Sequence, residues 1–405
     1  MDFILLIVGM DANAYYMARC YHEKYHEKAY LIGKNPIWFT SLSKIVIPSY
    51  YPNIWDEKEF LKILDKFYNE HKDKKILLIS ATENYITMIS KNKDKLKDKF
   101  FFNYPSSEII DTVVNKEIFY KTYANNKFIT LPKTIYYDCS KNENINMNFD
   151  YPIIVKPADV VTYRQIEFTG KNKIYKIEKY EDLTSTISCI KKGGYRGKLI
   201  IQEYIPGDDS HLFDCVVYSD KNAKVKRMSF AQIGLQEHTY NLVGNAAVLI
   251  NGYNQYGNTD KILASLKAFM ESIDYTGYAE FDLKYDSRDD KFKVLEINPR
   301  QGRSSYYLNT AGCNLVELLV NDLIENDTLK YEYLNKEVLL SFVPKLIVKK
   351  YIVNSDYRDK ALSMWKNHVN PLEYKNDRNF KRDYTLFRKN LRYYKDYKFG
   401  YWKNK

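Results

Sequence analysis

The fold is decided by the stretch Leu295-Glu-Ile-Asn-Pro-Arg-Gln-Gly-Arg-Ser-Ser305, which ends an apolar strand with an acid, an amide and two arginines. Residues 291–297 form the predicted strand, and successive side chains of a strand point to opposite faces. Glu296 and Asn298 therefore project to the same face. Two oxygen-bearing side chains thus share one side of the strand, immediately before a polar turn.

A second alternating strand lies upstream in Gly277-Tyr-Ala-Glu-Phe-Asp-Leu-Lys-Tyr285, and the turn-rich Asp286-Ser-Arg-Asp-Asp290 joins the two strands. Two strands joined by a short turn of this composition predict an antiparallel hairpin. The predicted register sets two pairs of side chains across from each other, namely Glu280 and Asp282 against Glu296 and Asn298.

The hairpin would crowd three carboxylates and one amide into a small patch, which is unfavourable unless a cation neutralises it. Hard oxygen donors without Cys or His favour Mg²⁺ or Mn²⁺. Arg300 and Arg303 follow at once, and guanidinium groups suit phosphate oxygens. The expected metal ligands are Glu280, Glu296 and Asn298, with Asp282 as a weaker candidate.

These residues carry a family resemblance. Glu-x-Asn-Pro-Arg on the second strand of a hairpin, with Glu280-Phe on the first, resembles the metal-binding signature of the ATP-grasp superfamily. The resemblance implies ATP and Mg²⁺ (or Mn²⁺) as cofactors. Two upstream lysines match further family elements: Lys156 ends the apolar strand 151–157 as a phosphate-binding lysine, and Lys116 in residues 113–122 stands where the lid begins.

The segment Leu199-Ile-Ile-Gln-Glu-Tyr-Ile-Pro-Gly-Asp-Asp-Ser210 resembles the hinge of the same superfamily. The resemblance implies that Glu203, Tyr204 and Ile205 meet the adenine edge. Asp209 or His211 would then reach the ribose.

A narrower resemblance covers nearly the whole chain. Gly9-Met-Asp-Ala-Asn-Ala-Tyr-Tyr-Met-Ala-Arg19, Leu31-Ile-Gly33, Thr40-Ser-Leu-Ser-Lys44 and the Tyr-rich C-terminal end look like the bacterial D-aspartate ligases. Such enzymes use ATP to join D-aspartate, through its β-carboxylate, to the lysine side chain of a peptidoglycan precursor. A nucleotide-linked or muramyl peptide would then be the amine acceptor.

The segment after Lys156 departs from the superfamily pattern. Many members carry a glycine-rich loop over the phosphates at this point, but residues 158–170 contain a single, late glycine. We therefore expect a lid that closes differently, in which Thr162, Tyr163 or Arg164 touches phosphate or substrate.

The expected fold is α/β (α+β), because short apolar strands at 3–8 and 75–80 each neighbour a helical segment. A Gly-x-Gly-x-x-Gly fingerprint is absent, which argues against a nicotinamide enzyme. The ATP-grasp resemblance implies four parts: a Rossmann-like pre-grasp domain (1–110), a lid (111–197), a catalytic grasp domain with an antiparallel sheet (198–330) and a basic, helical C-terminal extension (331–405).

The bulk composition fits a cytoplasmic enzyme. The 405 residues are 45% hydrophobic, enough for two or three packed domains. The five cysteines form no Cys-x-x-Cys pair, and the apolar run at 3–8 is too short for a transmembrane segment. Residues 375–405 hold eleven Lys or Arg against three Asp, which gives +8 of the net +11.

This basic tail, interleaved with aromatic residues that include Tyr401 and Trp402, leaves several partners open. An anionic membrane face, a diphosphate-bearing substrate and a helix whose lysines merely face water are alternatives, and nucleic acid is the least favoured.

The chemistry implied by the resemblance is phosphoryl transfer to a carboxylate, followed by attack of an amine. Lys116 and Lys156 would hold the α- and β-phosphates, and Arg300 would offset charge on the transferred group. The substrate carboxylate would bind Arg303, Ser304 and Ser305. A ligase for another acid, a carbamoyl-phosphate or carboxylase-type enzyme, and a non-catalytic nucleotide-binding module are the alternatives.

Overall fold

The computed structural model describes residues 1–80, 82–141, 143–239, 242 and 244–399, without the side chains of residues 160 and 161. The tail residues Tyr401 and Trp402 lie outside this description.

The N-terminal region forms a four-stranded parallel sheet of order β3-β2-β1-β4, which confirms the predicted α/β start. Helix α1 begins where Asp11 caps it, since the carboxylate accepts the amides of Asn13 (3.0 Å) and Ala14 (3.1 Å). The elements of this region are β1 (Phe3–Val8), α1 (Ala12–Tyr25), β2 (Ala29–Gly33), α2 (Trp38–Ser41), β3 (Val46–Tyr50), α3 (Glu57–Glu70), β4 (Lys75–Ser80), α4 (Glu83–Lys91), α5 (Lys93–Leu96), α6 (Ser107–Val114) and α7 (Lys116–Thr122).

The middle region is a second, antiparallel sheet of order β5-β8-β6-β7. Its elements are β5 (Thr134–Asp138), β6 (Ile153–Pro157), α8 (Val160–Gln165), β7 (Tyr175–Ile177), α9 (Tyr180–Lys192) and β8 (Lys198–Glu203). The predicted boundary at residue 198 falls just before β8, whose pairing with β5 and β6 places it inside the lid sheet. A boundary after Glu203 fits the pairing better, because hydrogen-bonded strands form one sheet.

The third region carries the predicted antiparallel hairpin within an eight-stranded sheet, whose main path is β14-β13-β9-β11-β12-β16. Strands β15 and β16 join this sheet although they lie beyond the predicted boundary at 330. The elements are β9 (Leu212–Ser219), β10 (Val225–Met228), β11 (Ala231–Gln236), β12 (Ala246–Asn251), α10 (Thr259–Ser272), β13 (Gly277–Asp286), β14 (Lys291–Asn298), α11 (Tyr307–Ala311), α12 (Leu315–Leu323), β15 (Glu332–Tyr333), β16 (Val338–Ser341), α13 (Lys345–Tyr351), α14 (Ser355–Ser363) and α15 (Phe380–Phe399).

The parallel sheet and the large sheet share one hydrophobic core. Leu5 and Ile7 of β1 lie in the same buried cluster as Val248 and Ile250 of β12. This shared core holds the first βα turn against the loop that follows β14. None of the described helices is both long enough and apolar enough to cross a membrane.

Candidate active site

The hairpin brings together the two pairs of side chains that side-chain alternation predicts to face each other. Glu280 pairs with Asn298, and Asp282 pairs with Glu296. The Asn298 amide donates to Asp282 Oδ2 at 3.3 Å. The four side chains thus form one polar patch at the end of β14.

A fourth carboxylate, Asp214, joins the patch and was missed in the sequence. Strand β9 pairs with β13 so that Asp214 stands opposite Asp282. Ser304 Oγ donates to Asp214 Oδ2 at 2.6 Å, and the Tyr307 hydroxyl donates to Oδ1 at 3.2 Å. The available signal was a lone acid inside the otherwise apolar strand Leu212–Ser219.

Crowding and burial strongly raise the pKa values of these acids. Burial, and then the charge of Glu280, raises the pKa of Asp282 to about 7. Burial raises the pKa of Asp214 to about 6 and that of Glu280 well above its ordinary range, where the Asp214 charge adds to the effect. A cation beside the patch would favour the charged carboxylates.

The donor set fits magnesium by type, because every available donor is an oxygen. In the part of the chain that the structure describes, no three His, Cys, Asp or Glu side chains have the spacing of a metal site. Two of the acids are instead paired with cations: Glu296 with Lys116, and Glu280 with Arg300. Metal binding at the patch therefore requires the Lys116 ammonium group to move away from Glu296.

Arg300 bridges the hairpin and the N-terminal region. Its Nη1 donates to Glu280 Oε2 at 3.3 Å, and its Nη2 donates to Glu83 Oε1 at 3.3 Å. Glu83 lies in the first turn of α4, and Asp11 is a further acidic neighbour that raises the Arg300 pKa. No sequence motif predicts Glu83 at this site, since it lies on a helix far away along the chain.

Three half-buried lysines approach the acids from the lid side. Burial, followed by the charge of Lys173, lowers the pKa of Lys116 to about 8. Burial and then Lys116 lower the pKa of Lys156 well below its ordinary range, and burial also lowers that of Lys173. Lys173 was not predicted. Three mutually repelling ammonium groups form a site suited to a polyanion such as a triphosphate.

The segment after Lys156 is a short helix, α8, in place of an open glycine loop. Tyr163 is buried in the lid core, where its hydroxyl contacts the Tyr175 hydroxyl at 2.6 Å. Thr162 bonds to Asp159. Arg164 is exposed and lowers the pKa of Lys173 through its charge. Of the three lid candidates, Arg164 is thus the one whose charge acts on the lysine cluster.

A cleft of about 520 Å³ lies between the lid sheet and the large sheet. Five predicted nucleotide residues line it: Lys156, Glu203, Tyr204, Ile205 and Asp209. Unpredicted residues also line it, among them Gln236, Lys284, Tyr351, Val353 and Asn354. The C-terminal region therefore contributes to the cleft, which no local motif indicated.

Two of the predicted nucleotide residues have side chains that are engaged by other residues. Glu203 accepts the Lys133 amide at 2.9 Å and pairs with Arg288 at 2.9 Å, so its backbone is the part left for an adenine edge. His211 is not among the described residues that line the cleft; it stacks on Tyr256 with ring centroids 4.4 Å apart. Of the two ribose candidates, the structure brings only Asp209 to the cleft.

The predicted substrate residues are all buried or nearly so and have internal partners. Arg303 Nη2 bonds to Glu237 at 2.5 Å, and its guanidinium lies over the Phe342 ring at 4.1 Å. Ser304 is bound to Asp214, and Ser305 Oγ accepts the Gly302 amide at 2.7 Å. The two serines thus hold the turn after β14 in place.

The C-terminal helix reaches the same arginine. The Tyr393 hydroxyl donates to Glu237 Oε1 at 3.2 Å, and Lys389 Nζ donates to the Tyr393 hydroxyl at 2.5 Å. Burial, followed by the charge of Arg303, lowers the pKa of Lys389 to about 7. Arg303 therefore sits in a mixed cluster of charges to which α15 contributes.

The comparisons with known proteins agree with this geometry. The chain is 31% identical, over 395 residues, to the D-aspartate ligase of Enterococcus faecium (strain Aus0004). The aligned region covers 94% of this chain and 92% of the relative. No family model matches the chain.

Solved structures show the same fold at low identity. The biotin carboxylase domain of the Hydrogenobacter thermophilus 2-oxoglutarate carboxylase, in complex with MgADP, ADP and bicarbonate, superposes with a TM-score of 0.60 at 13% identity, covering 83% of this chain and 72% of that one. The ADP complex of the Staphylococcus aureus N5-carboxyaminoimidazole synthetase gives 0.58 at 15%, covering 84% and 82%.

Proposed function

The chain belongs to the D-aspartate ligase family of ATP-grasp enzymes, which are ATP-dependent ligases that join a carboxylate to an amine, and from this premise we propose its substrates. The acid is D-aspartate, activated at its β-carboxylate. The amine is the side chain of a lysine in a peptidoglycan precursor peptide. A cytoplasmic site of action follows from substrates of this kind.

The first proposed step is phosphoryl transfer. A carboxylate oxygen of the acid attacks the γ-phosphorus of ATP, ADP leaves, and an acylphosphate results. Lys116 and Lys156 hold the phosphates, while Arg300 offsets charge on the group in transfer. Magnesium held by the hairpin ligands Glu280, Glu296 and Asn298, with Asp282, would neutralise phosphate charge.

The second proposed step forms the amide. The amine nitrogen, as a free base, attacks the acyl carbon; the C–N bond forms, the C–O bond to phosphate breaks, and the nitrogen loses a proton. Water must be excluded from the acylphosphate until then, and closure of the lid serves this purpose. Arg303 is the proposed contact for a substrate carboxylate. Ser304, which bonds to Asp214, and Ser305, which bonds to the Gly302 amide, position the turn that carries that arginine.

The observation that supports the proposal most directly is the position of Lys156. This lysine lines the cleft beside the hinge residues, and the charge of Asp282 acts on it from the hairpin. A nucleotide whose base lies at the hinge would therefore direct its phosphates toward the acid patch. Charge-paired lysines and carboxylates at one end of an apolar cleft suit phosphoryl transfer.

A second candidate is a carboxylase or carbamoyl-phosphate type of enzyme. The likeness to a biotin carboxylase domain bound to MgADP and bicarbonate supports it at the level of the fold alone. A ligase for another amino acid is the closer alternative, because the acid is chosen by a few contacts around Arg303.

The test is ADP release by the purified protein with ATP and magnesium. D-aspartate, L-aspartate, other small acids and bicarbonate are supplied one at a time, with and without a lysine-containing muramyl peptide. We expect release that requires both D-aspartate and the peptide, and a product heavier by one aspartyl residue in mass spectrometry.

Release with bicarbonate alone would replace the proposal by the carboxylase alternative. Release with another acid would leave the ligase chemistry and change the substrate. Tight ATP binding without turnover under every condition would indicate a nucleotide-binding module.

A further inference from the structure

Helix α15 is anchored to the body of the protein by one face. Arg382 is buried, donates to the Phe39 carbonyl at 2.8 Å and lies over the Tyr15 ring at 4.0 Å. Further along, the Tyr397 hydroxyl donates to the Gln236 carbonyl at 2.7 Å. The helix is therefore docked along its length and holds a defined orientation.

The opposite face of α15 carries a stripe of large apolar side chains. Its members recur at alternating steps of four and three residues, which places them along one side of a helix. They are between 39% and 85% exposed: Phe380, Tyr384, Phe387, Leu391 and Tyr394. An apolar stripe of this length on a surface marks an interaction site, since scattered single residues are the ordinary case.

Basic side chains flank the stripe on one side. All four are exposed: Lys381, Arg388, Arg392 and Lys395. The acids of the helix offset them only in part, because Asp383 pairs with Arg378 and Asp396 with Arg392 at 3.6 Å. The chain then continues as Gly400-Tyr-Trp-Lys-Asn-Lys405, which adds two aromatic and two basic residues in sequence.

We propose that this face of α15 docks on an anionic lipid bilayer, with the helix lying in the plane of the interface. Phe, Tyr and Leu side chains would enter the boundary between headgroups and acyl chains, and the flanking cations would meet lipid phosphates. Tyr and Trp are enriched at such interfaces, and the sequence after α15 supplies one of each.

Charge favours a membrane over a second copy of the chain. An antiparallel two-fold contact through the stripe would bring the same row of cations from both copies together, and like charges in contact are unfavourable. An anionic lipid surface would instead attract the four flanking cations. The inference is independent of the substrates proposed above, because no residue of the stripe lines the cleft.

The experiment is co-sedimentation of the full chain with vesicles. One set contains equal parts of phosphatidylglycerol and phosphatidylcholine, and the other contains phosphatidylcholine alone. We expect the protein to sediment with the anionic set, to stay in solution with the neutral set, and to be released by raised salt.

Two variants test the two parts of the surface. Phe380, Phe387 and Leu391 replaced together by Ser should weaken binding at least about tenfold, because the inserted side chains are lost. Replacing the four flanking cations by Gln should weaken binding about fivefold for each cation removed, which is about 1 kcal/mol each. The matched control removes the same charge from the exposed lysines on or just after α3, namely Lys58, Lys62, Lys66 and Lys72, and should bind as the wild type does.

Three outcomes would overturn the inference: no sedimentation with anionic vesicles, equal binding by the cation variant and its control, or a dimer in solution that the triple Ser variant dissociates. Because every changed side chain is exposed, ATP-dependent ADP release and the melting temperature should be unchanged in all variants. A lower rate of ADP release or a lower melting temperature would show that a variant had damaged the fold. Vesicle binding by the other of the two α15 variants then decides.

Discussion

Gly302 lies against the Glu280 carboxylate, so closely that a Cβ on residue 302 would stand 1.5 Å from Glu280 Oε1. Glu280 is buried and is held by Arg300 and Ser304. The Gly302 carbonyl in turn accepts the Tyr16 hydroxyl at 2.5 Å. The turn after β14 is thus fitted between helix α1 and the acid patch, with no room for a side chain at residue 302.

Gly302→Ala should displace the Glu280 carboxylate and lower the rate of ADP release by about a hundredfold or more. The measurement is initial rate under saturating ATP and acid. Gly312→Ala is the control, because its φ of 112° strains the backbone but its Cβ meets nothing within 4 Å. That variant should lose about 1–3 kcal/mol of stability and keep its rate. Equal rates for the two variants would contradict the prediction.

Lys173→Met should lower ADP release by about tenfold to a hundredfold, since a cation facing the phosphates is removed. Lys171→Met is the matched control. Lys171 lies two residues away but bonds to Glu167 and to the carbonyl of Ile166 within the lid. Its replacement should leave the affinity for ATP unchanged, measured by titration calorimetry. A wild-type rate of ADP release in the Lys173 variant would show that this lysine does not act on the phosphates.

Asp209→Ala should weaken ATP binding by about tenfold, as expected for the loss of a hydrogen bond to the ribose. His211→Ala should instead leave ATP affinity near the wild-type value and lower the melting temperature, because His211 packs on Tyr256 and beneath Gly207. Binding and thermal unfolding of both variants measure the two effects. The reverse pattern would make His211 the ribose contact.

Lys389→Met should make the stability of the protein rise less steeply with pH. The Lys389 pKa is about 7 in the folded state against 10.5 ordinarily, so the unfolded chain binds more protons between these values. Stability therefore increases as pH rises through this window, and the destabilising effect of the buried charge is greatest below pH 7. The variant should exceed the wild type in urea unfolding at pH 7, by a margin that shrinks at pH 9. A constant margin would contradict the assigned cause.

Chelation of divalent cations should abolish ADP release, and magnesium should restore it. Glu296→Gln should raise the magnesium concentration for half-maximal rate by about tenfold or more, because one ligand charge is lost. Glu117→Gln on α7 is the control, since that acid pairs with Lys121 and Lys198 away from the patch. A rate independent of magnesium would exclude the metal role of the hairpin.

Local patterns were sufficient to predict the hairpin. Side-chain alternation together with a turn-rich connection placed Glu280 and Asp282 across from Glu296 and Asn298, because a strand has a strict period of two. The structure then assigned the individual pairs, Glu280 with Asn298 and Asp282 with Glu296. Short apolar runs next to helices identified two of the four parallel strands at the start of the chain, at 3–8 and 75–80. Boundaries were less well predicted, since β8 joins the lid sheet through pairing with strands far away in sequence.

The sequence by itself determined the hairpin, several other strands and the main chemical groups, because periodicity and motif spacing are properties of neighbouring residues. Only the tertiary structure decided which distant groups complete the site. Asp214, Glu83 and Lys173 reach it from three separate elements, and Lys389 reaches Arg303 from the last helix. Their proximity depends on how sheets and helices pack, and packing depends on the whole core, which no local pattern records.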